Sequence, residues 1–173
     1  NLILNLSASH FAMGKSQLRE QEVVKDGSKK FNCAYLFVNL LGNEAGRMIY
    51  DGDIIFGLNG EVVQLNNRLS LKPFNVLWCD VDFTHPEKTK RHTLTDSKIK
   101  NEEFSKATSL ALFDYLRKSK AKGYVLSLSG GADSSLCAIL VAEMVRRGLH
   151  ELGPEKFCEA LNIPVSASPK EIT

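Results

Sequence analysis

Apolar and polar positions follow two different rhythms along this chain, and the change falls near its middle. Leu2, Ile3, Leu4 and Leu6 read as a buried strand over 2–6, and Ser7 to Phe11 leaves it. Residues 15–30 are rich in Gln, Glu, Lys and Val and predict a helix ending near Gly27. Cys33 to Leu40 is a second apolar strand, and Gly42 to Gly46 reads as a loop. Met48 to Tyr50, the turn Asp51-Gly52 and Ile54 to Leu58 follow. Asn59-Gly60 marks a two-residue hairpin, whose turn needs positive φ at both positions. Glu61 to Leu65 returns antiparallel, and Val76 to Phe83 forms a last strand.

Residues 84–97 are polar, contain Pro86 and carry no period, which marks a linker. Helical spacing then takes over. Phe104, Ala107, Ala111 and Tyr115 fall on one face over 101–119, with Asn101 as a cap and Glu102 and Glu103 in the first turn. Gly123 opens a short apolar, β-prone run, Tyr124, Val125, Leu126 and Leu128. A helical pattern resumes at Leu136. Ala138 to Val145 is apolar at nearly every position and predicts a well-buried helix, with Gly148 as its terminating residue. A further helix is expected near 154–161, before the turn Ile163-Pro164.

The 173 residues are 43% hydrophobic and 24% charged, an ordinary globular balance that allows one domain or two small ones. Lys and Arg number 22 against 20 acids, a net charge of +2, which gives no electrostatic case for nucleic acid or a membrane surface. No apolar run approaches the roughly 20 residues of a membrane span. Cys33, Cys79, Cys137 and Cys158 form no C-x-x-C, and three of them stand in apolar surroundings, as buried thiols in a reducing, cytoplasmic compartment do. His10, His85, His92 and His150 show no metal-ligand spacing. The chain opens on an interior-type strand without Met, and only residues 130–173 follow Ser129, so it is expected to be a piece of a longer protein.

The sharpest chemistry lies at Leu126 to Leu136, where an apolar run meets Gly130-Gly131 and then a helical pattern. Glycine lets the backbone turn tightly and approach an anion without a Cβ in the way. The free N–H groups and positive dipole end of the following helix then face that anion. Ser129, Ser134 and Ser135 add hydroxyl donors. The loop is neither G-x-x-x-x-G-K-[ST] nor G-x-G-x-x-G. It carries an acid, Asp133, and a carboxylate beside phosphates repels them unless a cation lies between, so Asp133 is the expected Mg²⁺ ligand. Helix capping alone needs one such residue and leaves the two glycines and the other serines without a purpose.

Ser129-Gly130-Gly131-Ala132-Asp133-Ser134-Ser135 resembles the signature of the ATP pyrophosphatase, or PP-loop, family. The resemblance implies ATP binding by Ser127, Ser129, Gly130, Gly131, Ala132, Asp133, Ser134 and Ser135, and adenylation of a substrate that ammonia or sulfur then attacks. Asn5 to Lys15, Val38 to Glu44 and Tyr50 to Asp53 resemble the nitrilase superfamily. A nitrilase-like amidase ahead of a PP-loop domain is the arrangement of the glutamine-dependent NAD⁺ synthetases. The implied fold is α/β: the C-terminal part of a nitrilase-like αββα glutaminase domain over 1–83, a linker over 84–97, and over 98–173 the start of a doubly wound parallel-sheet ATP-pyrophosphatase domain. The implied reaction is ATP-dependent amidation of deamido-NAD⁺, with ammonia released from glutamine. Ser9 and Lys15 match the serine and the basic residue that contact glutamine in that family. The glutaminase Glu-Lys-Cys set is expected upstream of Asn1, and a homo-oligomer is expected. Two other readings stay open at this point: another PP-loop amidoligase such as GMP synthetase, and a non-catalytic nucleotide-binding module.

Overall fold

The computed structural model describes residues 1–44, 46–89 and 100–164. A four-stranded sheet forms from β1 (Leu2–Ser7), β2 (Ala34–Asn39), β5 (Ile54–Leu58) and β6 (Glu61–Leu65), in the order β1-β2-β5-β6. β1 runs parallel to β2, with Leu2 opposite Ala34 and Ser7 opposite Asn39. A parallel pair needs a long crossover, and the helical run from Lys15 to Lys30 supplies it. That run consists of α1 (Lys15–Leu18), a π-helical stretch (Arg19–Lys25) and α2 (Asp26–Lys30). It does not end near Gly27. A Cβ at Gly27 would lie 3.0 Å from the Tyr35 ring, so this glycine lets the helix approach the sheet.

β2 pairs antiparallel with β5, and β5 with β6. The β5–β6 turn is the expected Asn59-Gly60 hairpin, with φ of 50° and 91° at the two positions. Gly42 to Glu44 is not loop. β3 (Leu41–Glu44) and β4 (Met48–Asp51) form a separate two-stranded sheet. Asp51-Gly52 accordingly turns the chain from one sheet into the other instead of closing a hairpin, and φ is +64° at Gly52.

Each face of the larger sheet buries its own apolar set. Val24 packs with Phe37 and Ile55 beneath the helical crossover. On the opposite face Ala34, Phe56, Leu58 and Val63 are covered by Cys79 and Val81. Those two residues belong to the predicted last strand, 76–83, which is not a strand. Its period-two alternation is present, with Val76 and Trp78 outward at 75% and 77% exposure, but no ladder joins it to another strand among the described residues. β1 is a strand but not a buried one: it is the sheet edge, and Leu2, Leu4 and Leu6 are exposed.

The second half is helical. α3 (Lys100–Ser119) starts one residue before the expected Asn101 cap; α4 (Ala132–Leu152) and α5 (Pro154–Ala160) follow. Leu110, Phe113, Leu116, Met144, Phe157 and Leu161 form the largest core, joined by Leu69 and Leu71 from the segment after β6. The Phe113 and Phe157 rings stack at 5.8 Å. α4 does not end at Gly148, which is buried inside it; a Cβ there would overlap the Phe157 ring, and Gly153 (φ +78°) ends the helix. Only one face of α4 is covered. Met144 and Gly148 are buried while Leu136, Cys137 and Ile139 are exposed, contrary to the expectation from its apolar run and from the cysteine count. Cys33 and Cys158 are buried as expected. Tyr124 to Leu128 forms no strand among the described residues, and Val125 is fully exposed. Among the described residues no helix is long and apolar enough to cross a membrane. Of the expected linker, positions 90–97 lie outside the described residues; Pro86–Lys88 is a short 3-10 turn.

Candidate functional site

The loop before α4 has the expected order of turn and helix start. Gly130 has φ +79°, and a Cβ built there meets nothing within 4 Å. Its glycine is therefore demanded by backbone conformation and not by packing. Gly131, the N-cap residue, has φ −82° and ψ 165°, an ordinary extended conformation, and a Cβ on it would come no closer than 3.5 Å to Ser129 Oγ. Neither conformation nor packing demands glycine at 131. Ala132 and Asp133 occupy the first turn of α4, and Gly131 offers no side-chain cap to their amides. The first N–H groups of a helix have no acceptor within the helix, so those of Ala132 to Ser134 point outward from the loop as donors.

Ser129, Ser134 and Ser135 converge on this turn. Ser134 Oγ and Ser135 Oγ donate to the Gly131 carbonyl at 3.2 and 2.9 Å, and Ser129 Oγ lies 3.3 Å from Ser134 Oγ. Ser127 stands apart, exposed in the segment before the turn. Asp133 is exposed at the helix start. Its carboxylate and the neighbouring hydroxyls are hard oxygen donors, and Mg²⁺ is usually held by one or two carboxylates with substrate phosphates completing its shell. Among the described residues no three His, Cys, Asp or Glu side chains are grouped so as to hold a metal ion; a single carboxylate with hydroxyls fits an ion whose shell substrate phosphates complete. Tyr124 anchors the run into the loop: its hydroxyl donates to Leu112 O at 2.7 Å, and burial, then the Tyr115 phenol, pushes its pKa up to about 12.

Ser9 lies on the loop between β1 and α1, Lys15 is the first residue of α1, and the two share a neighbour. Lys15 Nζ donates to His10 O at 3.0 Å. The Ser9 main chain is gripped on both sides by Asn39, whose Oδ1 accepts from Ser9 N and whose Nδ2 donates to Ser9 O, each at 2.8 Å. The Ser9–Lys15 loop and the 129–135 loop belong to different halves of the chain, and no hydrogen bond joins them among the described residues.

Sequence reasoning missed the buried charge cluster behind Ser9. Arg19 Nη1 meets Asp51 at 2.6 Å and Asp53 at 3.2 Å. Arg68 faces Asp51 at 3.8 Å and Glu103 at 3.0 Å. Burial first, then the Asp51 charge, raises the Asp53 pKa to about 6 despite Ser16, Arg68 and Arg19. Two signals were present. Arg19 stands four and five residues before Val23 and Val24, on the apolar side of its helix. Asp51 and Asp53 interrupt an otherwise apolar run from Met48 to Leu58. Glu102 pairs with Arg147 across α3 and α4, and Glu143 pairs with Arg147 within α4.

A family model described as NAD synthase matches residues 104–172. A glutamine-dependent NAD(+) synthetase from Synechocystis is 31% identical across 83% of this chain and 25% of its own length. The crystal structure of a glutamine-dependent NAD(+) synthetase from Cytophaga hutchinsonii is 53% identical, with a TM-score of 0.81, over 93% of this chain and 25% of that one. The chain is similar to one stretch of the glutamine-dependent NAD(+) synthetases. It spans about a quarter of the length of the relatives it matches. The Acinetobacter baumannii glutamine-dependent NAD+ synthetase, solved in complex with adenosine diphosphate, is 24% identical with a TM-score of 0.74 over 85% of this chain and 27% of that one, and shares the fold.

Proposed function

We propose that the full-length protein amidates deamido-NAD⁺ to NAD⁺ with ATP, using ammonia released from glutamine. The domain division is 1–83, nitrilase-like glutaminase; 84–97, linker; and 98–173, ATP pyrophosphatase. The reading rests on one observation above the others: at the start of α4, Gly131 is a glycine that neither its φ nor its neighbours require. A ligand that must touch the main chain gives the missing Cβ a purpose. In this proposal the amides of Gly131 to Ser134 bind the β,γ-pyrophosphate of ATP, helped by the hydroxyls of Ser127, Ser129, Ser134 and Ser135. Asp133 holds Mg²⁺ against the phosphates, and the ion supplies positive charge that lets them approach a carboxylate.

The chemistry explains the need for ATP. A carboxylate is a poor electrophile until one oxygen becomes a good leaving group. The nicotinate carboxylate attacks the α-phosphorus of ATP and pyrophosphate leaves, so that its oxygen becomes part of AMP; ammonia then attacks the carbonyl carbon, loses a proton, and AMP departs. Ammonia must reach the site unprotonated, so water has to be excluded along its route. Ser9 and Lys15 bind substrate glutamine, with the Lys15 ammonium facing its carboxylate as a point charge. The nucleophilic cysteine is outside this chain: Cys33 and Cys158 are buried, Cys79 packs against the sheet, and Cys137 stands on α4. A cytoplasmic homo-oligomer that binds neither nucleic acid nor membrane completes the proposal.

The test is a coupled assay of the full-length protein with deamido-NAD⁺, ATP and Mg²⁺, given either glutamine or ammonium. NAD⁺ formation with both nitrogen donors is the expected result. Nucleotide binding without NAD⁺ formation from either donor would overturn the proposal.

A further inference from the structure

We infer that Arg19 is a positioning residue for the glutamine-binding loop. This rests on the reading of Ser9 and Lys15 as glutamine contacts. The Arg19 guanidinium divides its two ends between two tasks. Nη1 sits on the Asp51 and Asp53 carboxylates at 2.6 and 3.2 Å. Nη2 donates to Ser9 O at 3.0 Å and reaches His10 O at 3.5 Å. The planar fork fixes those directions relative to each other, and the Phe37 ring, 5.4 Å from the guanidinium carbon, flanks it.

An arginine placed only to neutralise two carboxylates would have no reason to hold the loop. Here Nε is buried without a hydrogen-bond partner among the described residues, while Nη2 is directed at two main-chain carbonyls. Buried donors are nearly always satisfied, so the orientation favours the loop over Arg19's own saturation. The consequence reaches Lys15 through one atom: His10 O accepts from both Arg19 Nη2 and Lys15 Nζ. Asn39 completes the grip on Ser9 while donating to Asp51 Oδ1 at 2.6 Å, so the same carboxylate orients both clamps. Arg19 therefore fixes where Ser9 and Lys15 stand relative to each other without touching substrate.

Lysine separates the two tasks. It can place one charge between Asp51 and Asp53 but lacks the second arm of the fork. In the full-length protein, Arg19→Lys should raise KM for glutamine about tenfold, the effect of losing a hydrogen bond from a charged donor. The kcat of glutamine hydrolysis should change less than twofold, and ammonia-driven NAD⁺ synthesis should stay at the wild-type rate. A wild-type KM for glutamine in Arg19→Lys, alongside a raised KM in Lys15→Ala, overturns the positioning role and leaves the glutamine site standing. A wild-type KM in both variants overturns the glutamine site and the inference together. Should Arg19→Lys fail to fold, Asp53→Asn decides. It takes a charge from the Arg19 anchor without touching the loop, and a severalfold rise in KM for glutamine is expected; no rise counts against the role.

Discussion

Arg68 Nη1 and Glu103 Oε1 lie 3.0 Å apart, with only 4% and 3% of their side chains exposed, and join the segment after β6 to α3. Arg68 also faces Asp51, which Arg19 binds, so one chain of buried charge runs from the Ser9 loop to the helix that packs beside α4. Removing one member of a buried pair leaves an uncompensated charge and typically costs about 3–5 kcal/mol. Arg68→Met should therefore lower the unfolding free energy of the full-length protein, read from denaturant titration, by an amount in that range, and Arg68→Met with Glu103→Leu should recover much of it. A single variant as stable as wild type would show that the pair contributes nothing.

Gly148→Ala sets two effects of opposite sign against each other. Alanine is better than glycine inside a helix by about 1 kcal/mol. Its Cβ, however, overlaps the Phe157 ring, which stacks on Phe113 in the largest core. Overpacking of this kind costs about 1–3 kcal/mol, so net destabilisation is expected by thermal unfolding. A gain in stability would mean that α5 moves aside freely.

Much of the first half was legible because its signals are local. Asn59-Gly60 specifies a turn through the conformations those two residues tolerate, and β5 and β6 pair around it. The 129–135 loop was legible for the same reason. What escaped is non-local. Gly27 and Gly148 look like helix ends in sequence, whereas each makes room for an aromatic ring from elsewhere. Leu41 to Glu44 is too short and too polar to announce a strand, and it becomes one by pairing with Met48 to Asp51; α3 packs against it, where the Asp114 carboxylate accepts from Asn43 N at 2.8 Å. Arg19, Asp51, Asp53, Arg68 and Glu103 look like solvated charges one by one, and only the fold buries them together.

Asp53 gives the fold a pH dependence of unusual sign for a carboxylate. Its pKa is about 6 when folded, against 3.8 for the free group, chiefly through burial. Above pH 6 the buried charge is a full penalty. Between pH 6 and 3.8 the folded state holds a proton that the unfolded chain releases, so this contribution becomes more favourable as pH falls through that window. The shift corresponds to about 3 kcal/mol. Asp53→Asn should gain stability relative to wild type at pH 8, with the difference shrinking below pH 6. A difference that stays constant between pH 8 and pH 5 would contradict this.

Lys15→Ala should raise KM for glutamine about tenfold, the loss expected when a charged contact to substrate is removed. NAD⁺ synthesis from ammonium should be unchanged, because Lys15 belongs to the first half and its observed hydrogen bond is to His10 O. Steady-state kinetics with each nitrogen donor checks this. Equal loss with both donors would place the effect elsewhere.

Asp133→Ala, at the start of α4, should abolish ATP-dependent NAD⁺ formation from either nitrogen donor while glutamine hydrolysis stays measurable. Initial rates of the two reactions in the full-length variant check it. Undiminished synthesis would remove Asp133 from the metal site.

The most direct test of the pyrophosphate loop is a crystal structure of the full-length protein with a non-hydrolysable ATP analogue and Mg²⁺. The β,γ-phosphates should lie within hydrogen-bond distance of the main-chain amides of residues 131–134, with the ion bound by Asp133. Nucleotide bound elsewhere, with no phosphate at this turn, would contradict the account.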